Sequence, residues 1–197
     1  MRYRKDHKQQ TQQRILGAAG RLFRKHGYAA TGVDAVMKSA RLTAGGFYSH
    51  FHSKEHLLAE TLDAVFRGAG ADRPPQLSKL EGQEWLRAFT GFYLSAEHRN
   101  AADRGCPIPA LAAEVARLGG RTREVLEQHL RRIIEFIAKQ FDERHPDRKR
   151  AISTTALLAG AVLLARAVAD ETFSQEILGT CQEAAVGAIE HSSGKRD

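Results

Sequence analysis

Cysteine is scarce in this chain, which has only two such residues, Cys106 and Cys181, among 197. Neither stands in a CxxC or zinc-type spacing, and the pair His52 and His56 has no further ligand in register, so no disulfide framework or metal site is expected. No uninterrupted apolar run approaches the ~18 residues of a membrane span. The amino terminus also lacks the apolar stretch of a signal peptide. These absences predict a soluble protein of the reducing cytoplasm.

Catalytic motifs are missing from residues 79–197, which contain no GxSxG, P-loop, HExxH or GxGxxG sequence in a strand-turn-helix setting. The sequence therefore predicts neither an enzyme nor a bound cofactor. One alternative stays open at this point: an all-α enzyme that acts on an apolar small molecule and carries an incidental basic segment. Turnover by the isolated carboxyl-terminal half would favour that alternative.

Positive charge is concentrated at the amino terminus. Residues 1–56 contain 11 Lys and Arg against 3 Asp and Glu, a balance of +8, whereas residues 57–197 contain 19 against 20, a balance of −1. A basic module joined to a charge-balanced one indicates that the first module binds a polyanion such as nucleic acid. We therefore predict one domain over 1–56 and another over 57–197, with a helix at 54–67 connecting them.

Apolar residues recur at helical spacing along the chain, and nowhere does a period of two persist for the length of a strand. The predicted fold is all-α. Thr31, Thr43 and Ser53 are expected to cap the helices that follow them. The Gly- and Pro-rich stretch 68–78 predicts a linker, and the tail from about 192 to 197 is expected to be disordered. The predicted helices are 9–26, 33–40, 44–50, 54–67, 81–98, 108–118, 122–143, 147–168 and 174–191.

Two short helices joined by a tight turn and preceded by a longer basic helix make residues 33–50 a candidate helix-turn-helix. The sequence there reads TGVDAVMKSARLTAGGFYSHFHSKEHLL, preceded by LFRKHGYAAT. Over about residues 9–60 it closely resembles the DNA-binding segment of TetR/AcrR-family bacterial transcriptional regulators. The most specific matched positions are Thr43, Gly45, Tyr48, His50, Phe51, Ser53, Lys54 and Glu55.

The resemblance implies DNA contacts by five of these residues. Their chemistry suits the role, since helix amino-terminal amides and a lysine ammonium hold phosphates, while a tyrosine hydroxyl reaches a phosphate or a base edge. The two adjacent glycines at 45 and 46 would let the backbone approach the major groove. Phe47 and Phe51 are interpreted as core residues of the small domain. The implied contact residues are Thr43, Gly45, Tyr48, His50 and Lys54.

The chain departs from the family pattern at Ala44 and Gly46, where members often carry long polar side chains. Base readout must then depend on Tyr48, on contact between Ala44 and a thymine methyl, on Arg41, or on DNA shape. The DNA-binding candidates therefore also include Arg41, Ala44, Gly46 and Tyr48. The basic arm either enters a minor groove or is a solvated tail, and it consists of Arg2, Arg4, Lys5 and Lys8.

The second half resembles the helical domain in which this family binds effectors. Aromatic residues cluster on one predicted helix, where they line a pocket or simply pack the core. Cys106 precedes a predicted helix amino terminus near two arginines, so it is interpreted either as a reactive thiol or as a buried small residue. Cys181 is expected to be inert. The candidate effector residues are Trp85, Phe89, Tyr93, Cys106, His129 and Ile133.

The Ala-, Gly- and Leu-rich stretch 156–169 and the last helix resemble the paired helices through which the family dimerises as a four-helix bundle. Burial within one chain is the alternative. A two-fold dimer also suits a palindromic site on double-stranded DNA. The sequence thus predicts a homodimeric repressor that a small-molecule effector or a thiol modification releases from its operator. The candidate interface residues are Leu163, Ala167, Leu178, Cys181 and Ile189.

Overall fold

The computed structural model describes residues 2–68 and 74–190, and every regular element in that part of the chain is helical. The all-α prediction is therefore confirmed. Two of the elements are 3₁₀ helices, Ala44–Ser49 and Pro75–Lys79. The α-helices are α1 (Arg2–His26), α2 (Val33–Ser39), α3 (Lys54–Arg67), α4 (Gly82–Tyr93), α5 (Ala96–Asn100), α6 (Pro107–Leu118), α7 (Gly120–Phe141), α8 (Arg148–Ala167) and α9 (Glu171–Glu190).

The first compact unit contains the described residues up to 68 together with residues 106–129. In this unit the α1 side chains Ile15, Ala19 and Phe23 are buried and recur at helical spacing, and α1 packs against α2, α3 and α6. The α6 side chains Leu111 and Val115 are buried in the same core as the helix-turn-helix side chains. The largest side chains with almost no exposed surface are Ile15, Phe23, Met37, Phe47, Phe51, Leu57, Leu58 and Leu62.

The second compact unit contains the described residues from 74 to 105 and from 130 to 190. In it, α8 packs along α9, α4 packs against α9, and α5 packs against α8. The division between the two units falls inside α7, after His129. The functional boundary expected at 56/57 stays a prediction.

The predicted helix 81–98 is wrong, because the structure has two helices, α4 and α5, in its place. Ser95 explains the break. Its hydroxyl accepts a hydrogen bond from the His98 amide at 3.1 Å and donates to the Phe92 carbonyl at 2.8 Å, so one side chain ends α4 and caps α5. Part of the predicted linker forms the 3₁₀ helix Pro75–Lys79 with Leu77 buried, while residues 69–73 and the tail 192–197 lie outside the described residues.

Two further expectations need correction. Helix α1 begins at Arg2 and not at residue 9, since the backbone of the basic arm continues the helix. Thr31 does not cap α2: Gly32 holds the N-cap position, and the Thr31 hydroxyl turns back to donate to the Gly27 carbonyl at 2.7 Å. Ser53 caps α3 as predicted, accepting a hydrogen bond from the His56 amide.

Helix α8 is long and apolar enough to cross a membrane by length and composition alone, and 39% of its apolar window is buried inside the chain. Such a helix is equally typical of the core or the interface of a folded domain. Its exposed apolar residues include Ile152 and Leu163, which are 45% and 50% exposed.

Candidate nucleic-acid interface

The reading element of the candidate helix-turn-helix is the 3₁₀ helix Ala44–Ser49. Phe47 is buried in the core of the first unit, and Phe51 follows it there, with ring centroids 5.8 Å apart. This burial confirms their interpretation as core residues. The adjacent Tyr48 ring meets Phe47 edge-on at 5.2 Å but is itself 75% exposed. Two phenylalanines thus fix the element while the tyrosine projects from it.

Thr43 and Ala44 begin this element on the surface. Thr43 occupies the N-cap position with extended backbone angles, but its side chain makes no capping hydrogen bond. Both residues are exposed. The hydroxyl is consequently available to an external acceptor such as a phosphate oxygen.

Arg41 lies in the turn before this element with φ at +57°, and no other described residue besides glycine has a positive φ. Helix α2 ends there with the Leu42 amide bonded to the Met37 carbonyl, a Schellman-type ending that usually places glycine at the left-handed position. An L side chain costs roughly 1–2 kcal/mol in this conformation. The arginine side chain is exposed.

At Gly45 and Gly46, in contrast to Arg41, glycine stands where the backbone conformation does not call for it. Neither has a positive φ, and a Cβ atom at Gly45 would meet nothing within 4 Å. At Gly46 it would lie 3.7 Å from Met37 Cε, which is ordinary van der Waals contact. The protein itself therefore does not require glycine at either position, although each glycine in a helix costs roughly 0.5–1 kcal/mol relative to alanine.

Lys54 is the first residue of α3, beside the reading element. Its ammonium lies 4.2 Å from the centroid of the Tyr28 ring and 3.4 Å from the Ala29 carbonyl oxygen. These contacts hold the side chain at the surface of the unit. A lysine ammonium has three N–H donors, so this one retains capacity for a phosphate.

His50 follows the reading element and is half-buried. Burial lowers its pKa below the ordinary histidine range, and the positive charge of Lys8 lowers that pKa further. Its Nδ1 atom is buried without a hydrogen-bond partner. The uncharged ring is therefore favoured at pH 7 in the protein without DNA.

Two family models match this chain. The model described as bacterial regulatory proteins, tetR family, matches residues 15–61, and the model described as tetracyclin repressor-like, C-terminal domain, matches residues 82–180. A curated relative, the HTH-type transcriptional regulator UidR of Escherichia coli strain K12, is 30% identical over 160 residues, which cover 76% of this chain and 77% of that protein. The chain belongs to the TetR family.

Solved structures agree on the fold of this TetR-family chain. A TetR transcriptional regulator from Chloroflexus aurantiacus superimposes with a TM-score of 0.75 at 24% identity and covers 94% of this chain and 96% of its own. The reduced form of Escherichia coli NemR gives 0.73 at 20% identity, covering 89% and 95%. TetR-family proteins are DNA-binding transcriptional regulators and not enzymes. The alternative of an all-α enzyme is therefore set aside.

The structure brings three of the predicted effector residues of this TetR-family chain together. Trp85 stacks on Phe89 with ring centroids 4.6 Å apart, and Phe89 meets Tyr93 at 5.5 Å. All three are buried in the second unit. In the same helix Thr90 is fully buried, and its hydroxyl has no hydrogen-bond partner. Ile133 belongs to this unit and is half-buried.

The other two predicted effector residues belong to the first unit. His129 is buried, its Nε2 atom lies 2.9 Å from Asp63 Oδ1, and its ring stacks on Phe66 at 4.7 Å. Cys106 is the N-cap residue of α6 and is half-buried. The structure thus gives these two residues surroundings different from those of the aromatic row.

The predicted dimer residues fall into two groups. Leu163 and Ala167 are exposed on α8, as an interface requires. Leu178 and Ile189, at 4% and 0% exposure, are covered within their own chain, so their assignment to the interface needs correction: they are core residues of the second unit. Cys181 is half-buried.

The sequence does not predict one residue that contacts the loop between α1 and α2. The Glu114 carboxylate of α6 accepts hydrogen bonds from the backbone amides of Tyr28 and Ala29, both at 2.8 Å. No motif or periodicity connects residues that are 85 or 86 positions apart, so only a structure reveals this contact.

Proposed function

We propose that this chain is a homodimeric repressor that binds a palindromic operator in double-stranded DNA. Residues 1–56 form the DNA-binding domain, and residues 57–197 form the effector-binding and dimerisation domain. The protein acts in the cytoplasm, where a small molecule or a thiol modification shifts the population towards a state that does not bind DNA. The contact residues are Arg41, Thr43, Ala44, Gly45, Gly46, Tyr48, His50 and Lys54.

The main support for the proposed DNA-binding surface is that three of its residues do not suit the backbone conformation or the space at their positions. Arginine stands at the left-handed position that favours glycine, while glycines stand at two positions where the backbone and the available space favour alanine. Each choice costs the isolated fold free energy. Such local conflicts are expected where a residue serves a partner. A cation at Arg41 and bare backbone at Gly45 and Gly46 both suit close contact with DNA.

Direct readout of guanine by a long side chain from positions 44 to 46 is impossible, because Ala44, Gly45 and Gly46 have no side-chain donors. Tyr48 is the exposed large side chain of the element. We therefore assign base contacts to Tyr48 and to Ala44, which would touch a thymine methyl group. We assign the phosphate contact to Lys54.

The dimer face consists of the exposed apolar stripe on α8. Ile152, Ala156, Leu163 and Ala167 are exposed and recur at spacings that place them on one side of the helix. Phe173 at the start of α9 is 50% exposed. Two copies of α8 and α9 would bury this surface in a four-helix bundle, and the two-fold axis would present two reading elements to a palindrome.

The effector site is placed in the second unit, against the row Trp85, Phe89 and Tyr93. Stacked rings favour an apolar or aromatic ligand, while the unpartnered Thr90 hydroxyl provides one hydrogen-bonding group. Ile133 belongs to the same unit. Cys106 is kept as the site of the alternative thiol signal.

The test is selection of genomic or random DNA fragments by the purified protein, followed by binding measurements over a range of salt concentrations. A single palindromic sequence should emerge. Lys54→Ala should weaken all sequences alike and lower the salt slope by about 1, whereas Tyr48→Ala should also relax sequence preference. Lys139→Ala, which removes an exposed charge from α7, is the matched control. Selection of no sequence, or equal losses in Lys139→Ala and Lys54→Ala, would contradict the proposal.

A further inference from the structure

Helix α6 makes a specific contact with the loop between α1 and α2. The two oxygens of the Glu114 carboxylate accept separate hydrogen bonds, Oε2 from the Tyr28 amide and Oε1 from the Ala29 amide, each at 2.8 Å. Hydrogen bonds to a charged acceptor are the strong class in proteins. One side chain thus fixes two consecutive peptide groups.

The loop is shaped to receive this carboxylate. Gly27 has φ at +85°, a conformation that side chains rarely adopt, and a Cβ atom there would lie 3.2 Å from Glu114 Oε2. The backbone angle therefore favours glycine at 27, and a Cβ atom there would also crowd the carboxylate. Thr31 closes the loop by donating to the Gly27 carbonyl.

The same two loop residues hold Lys54. Its ammonium lies over the Tyr28 ring at 4.2 Å and 3.4 Å from the Ala29 carbonyl oxygen. Burial raises the Tyr28 pKa above its ordinary value, with further contributions from the carboxylates of Glu55 and Glu114, so the phenol stays neutral. Residues 28 and 29 therefore connect a carboxylate of α6 to the lysine at the start of α3.

We propose that Glu114 is a positioning residue for DNA binding, which acts by fixing residues 28–29 and through them the ammonium of Lys54. The inference rests on the proposed function, because it takes Lys54 to hold a DNA phosphate. It extends the DNA-binding apparatus to a residue well beyond the segment 15–61 that matches the family's DNA-binding model. A carboxylate is repelled by phosphates, so Glu114 acts through the loop and not by contact.

The experiment is a double-mutant cycle on operator binding, measured with the full-length protein at several salt concentrations. Glu114→Gln keeps the side-chain length but replaces one accepting oxygen by an NH₂ group, which cannot accept from an amide. We expect it to weaken binding by about tenfold and to lower the salt slope by about 1, the same change in slope that is expected for Lys54→Ala. In the Lys54→Ala background it should add no further loss.

Glu124→Gln is the matched control, because Glu124 is an exposed acid of the same unit, on α7, paired with Arg121. It removes the same charge without touching the loop. Glu114→Asp, whose shorter side chain cannot reach both amides, repeats the test if the glutamine variant melts below the assay temperature.

Three outcomes would overturn the inference. Equal losses from Glu114→Gln with and without Lys54 would show a general structural role, and behaviour like that of Glu124→Gln would show no role. A salt slope unchanged by Glu114→Gln despite weaker binding would separate Glu114 from the phosphate contact. Failure of the wild type to bind any fragment would instead contradict the proposed function, and the inference with it.

Discussion

Replacing Gly45 by alanine should stabilise the protein and weaken its binding to DNA. The added methyl group meets nothing within 4 Å, and the backbone angle is one that alanine adopts freely. The gain in stability should be roughly 0.5–1 kcal/mol, because alanine loses less conformational entropy than glycine on folding. For a chain of this size, a gain of 1 kcal/mol raises Tm by about 2–4 °C.

The loss of DNA affinity has a different origin. If the bare backbone at Gly45 lies against the DNA, a methyl group there holds the reading element away and lengthens every neighbouring contact. A loss of about 1.4 kcal/mol corresponds to a tenfold increase in Kd. Gly46→Ala should behave similarly, although its methyl group also touches Met37.

Arg41→Gly is the reverse test of the same reasoning. Glycine relieves the left-handed backbone at φ +57°, so Tm should rise although a side chain is lost. The salt slope of DNA binding should fall by about 1 if the guanidinium holds a phosphate. Stability and affinity are thus expected to change in opposite directions in both variants.

The assays are thermal unfolding followed by circular dichroism and fluorescence anisotropy of a labelled operator at several salt concentrations. Gly91→Ala is the matched control, because a Cβ there meets only Gln182 Nε2, at an ordinary contact distance of 3.7 Å, and the residue lies in α4, outside the reading element and the proposed dimer face. It should stabilise by a similar amount and leave Kd unchanged. A stabilised Gly45→Ala protein with wild-type affinity would refute the assignment of Gly45 to the DNA surface, and a destabilised one would refute the steric argument.

Two further predictions concern the other proposed sites. Leu163→Glu places a charge on an exposed part of α8, so the chain should stay folded, as measured by circular dichroism. It should sediment as a monomer and bind the operator much more weakly. A dimer with wild-type affinity would exclude this face as the interface. A thiol-reactive electrophile should release the wild type and Cys181→Ser from DNA but leave Cys106→Ser bound, since Cys106 stands at the N-cap of α6. Equal release of Cys106→Ser would reject Cys106 as the sensor and favour a non-covalent ligand at the row Trp85, Phe89 and Tyr93.

Periodicity and capping residues predicted most of the helices, because both depend on neighbours within one or two turns. Ser53, for example, caps α3 where its sequence position indicated. Ser95 gave the same kind of signal, but the apolar pattern continues across it, and the break between α4 and α5 was missed. Thr31 shows the converse, since its hydroxyl serves the Gly27 carbonyl in place of a helix amide.

The sequence predicted which helices are apolar better than it predicted which of their side chains are buried within the chain. Leu178 and Ile189 belong to a helix that the sequence predicted, but the pattern alone does not distinguish the side of α9 that is covered within the chain from the side that is exposed. His129 is a similar case. Its helical position allowed a place among effector residues, whereas the structure pairs it with Asp63, 66 positions earlier.

The proposal of a DNA surface at residues 41–46 depends on residue type and backbone angle together. Two glycines beside a reading element indicate close approach from the sequence alone, but the same glycines would carry no functional meaning if the fold required positive φ there. Gly45 and Gly46 do not have positive φ, so that explanation does not apply to them. Arg41 does have positive φ, where glycine would be the favoured residue. Since natural sequences are mostly consistent with their local structure, three conflicts within six residues point to a demand from outside the chain. For a basic surface that demand is most directly met by the backbone and grooves of DNA.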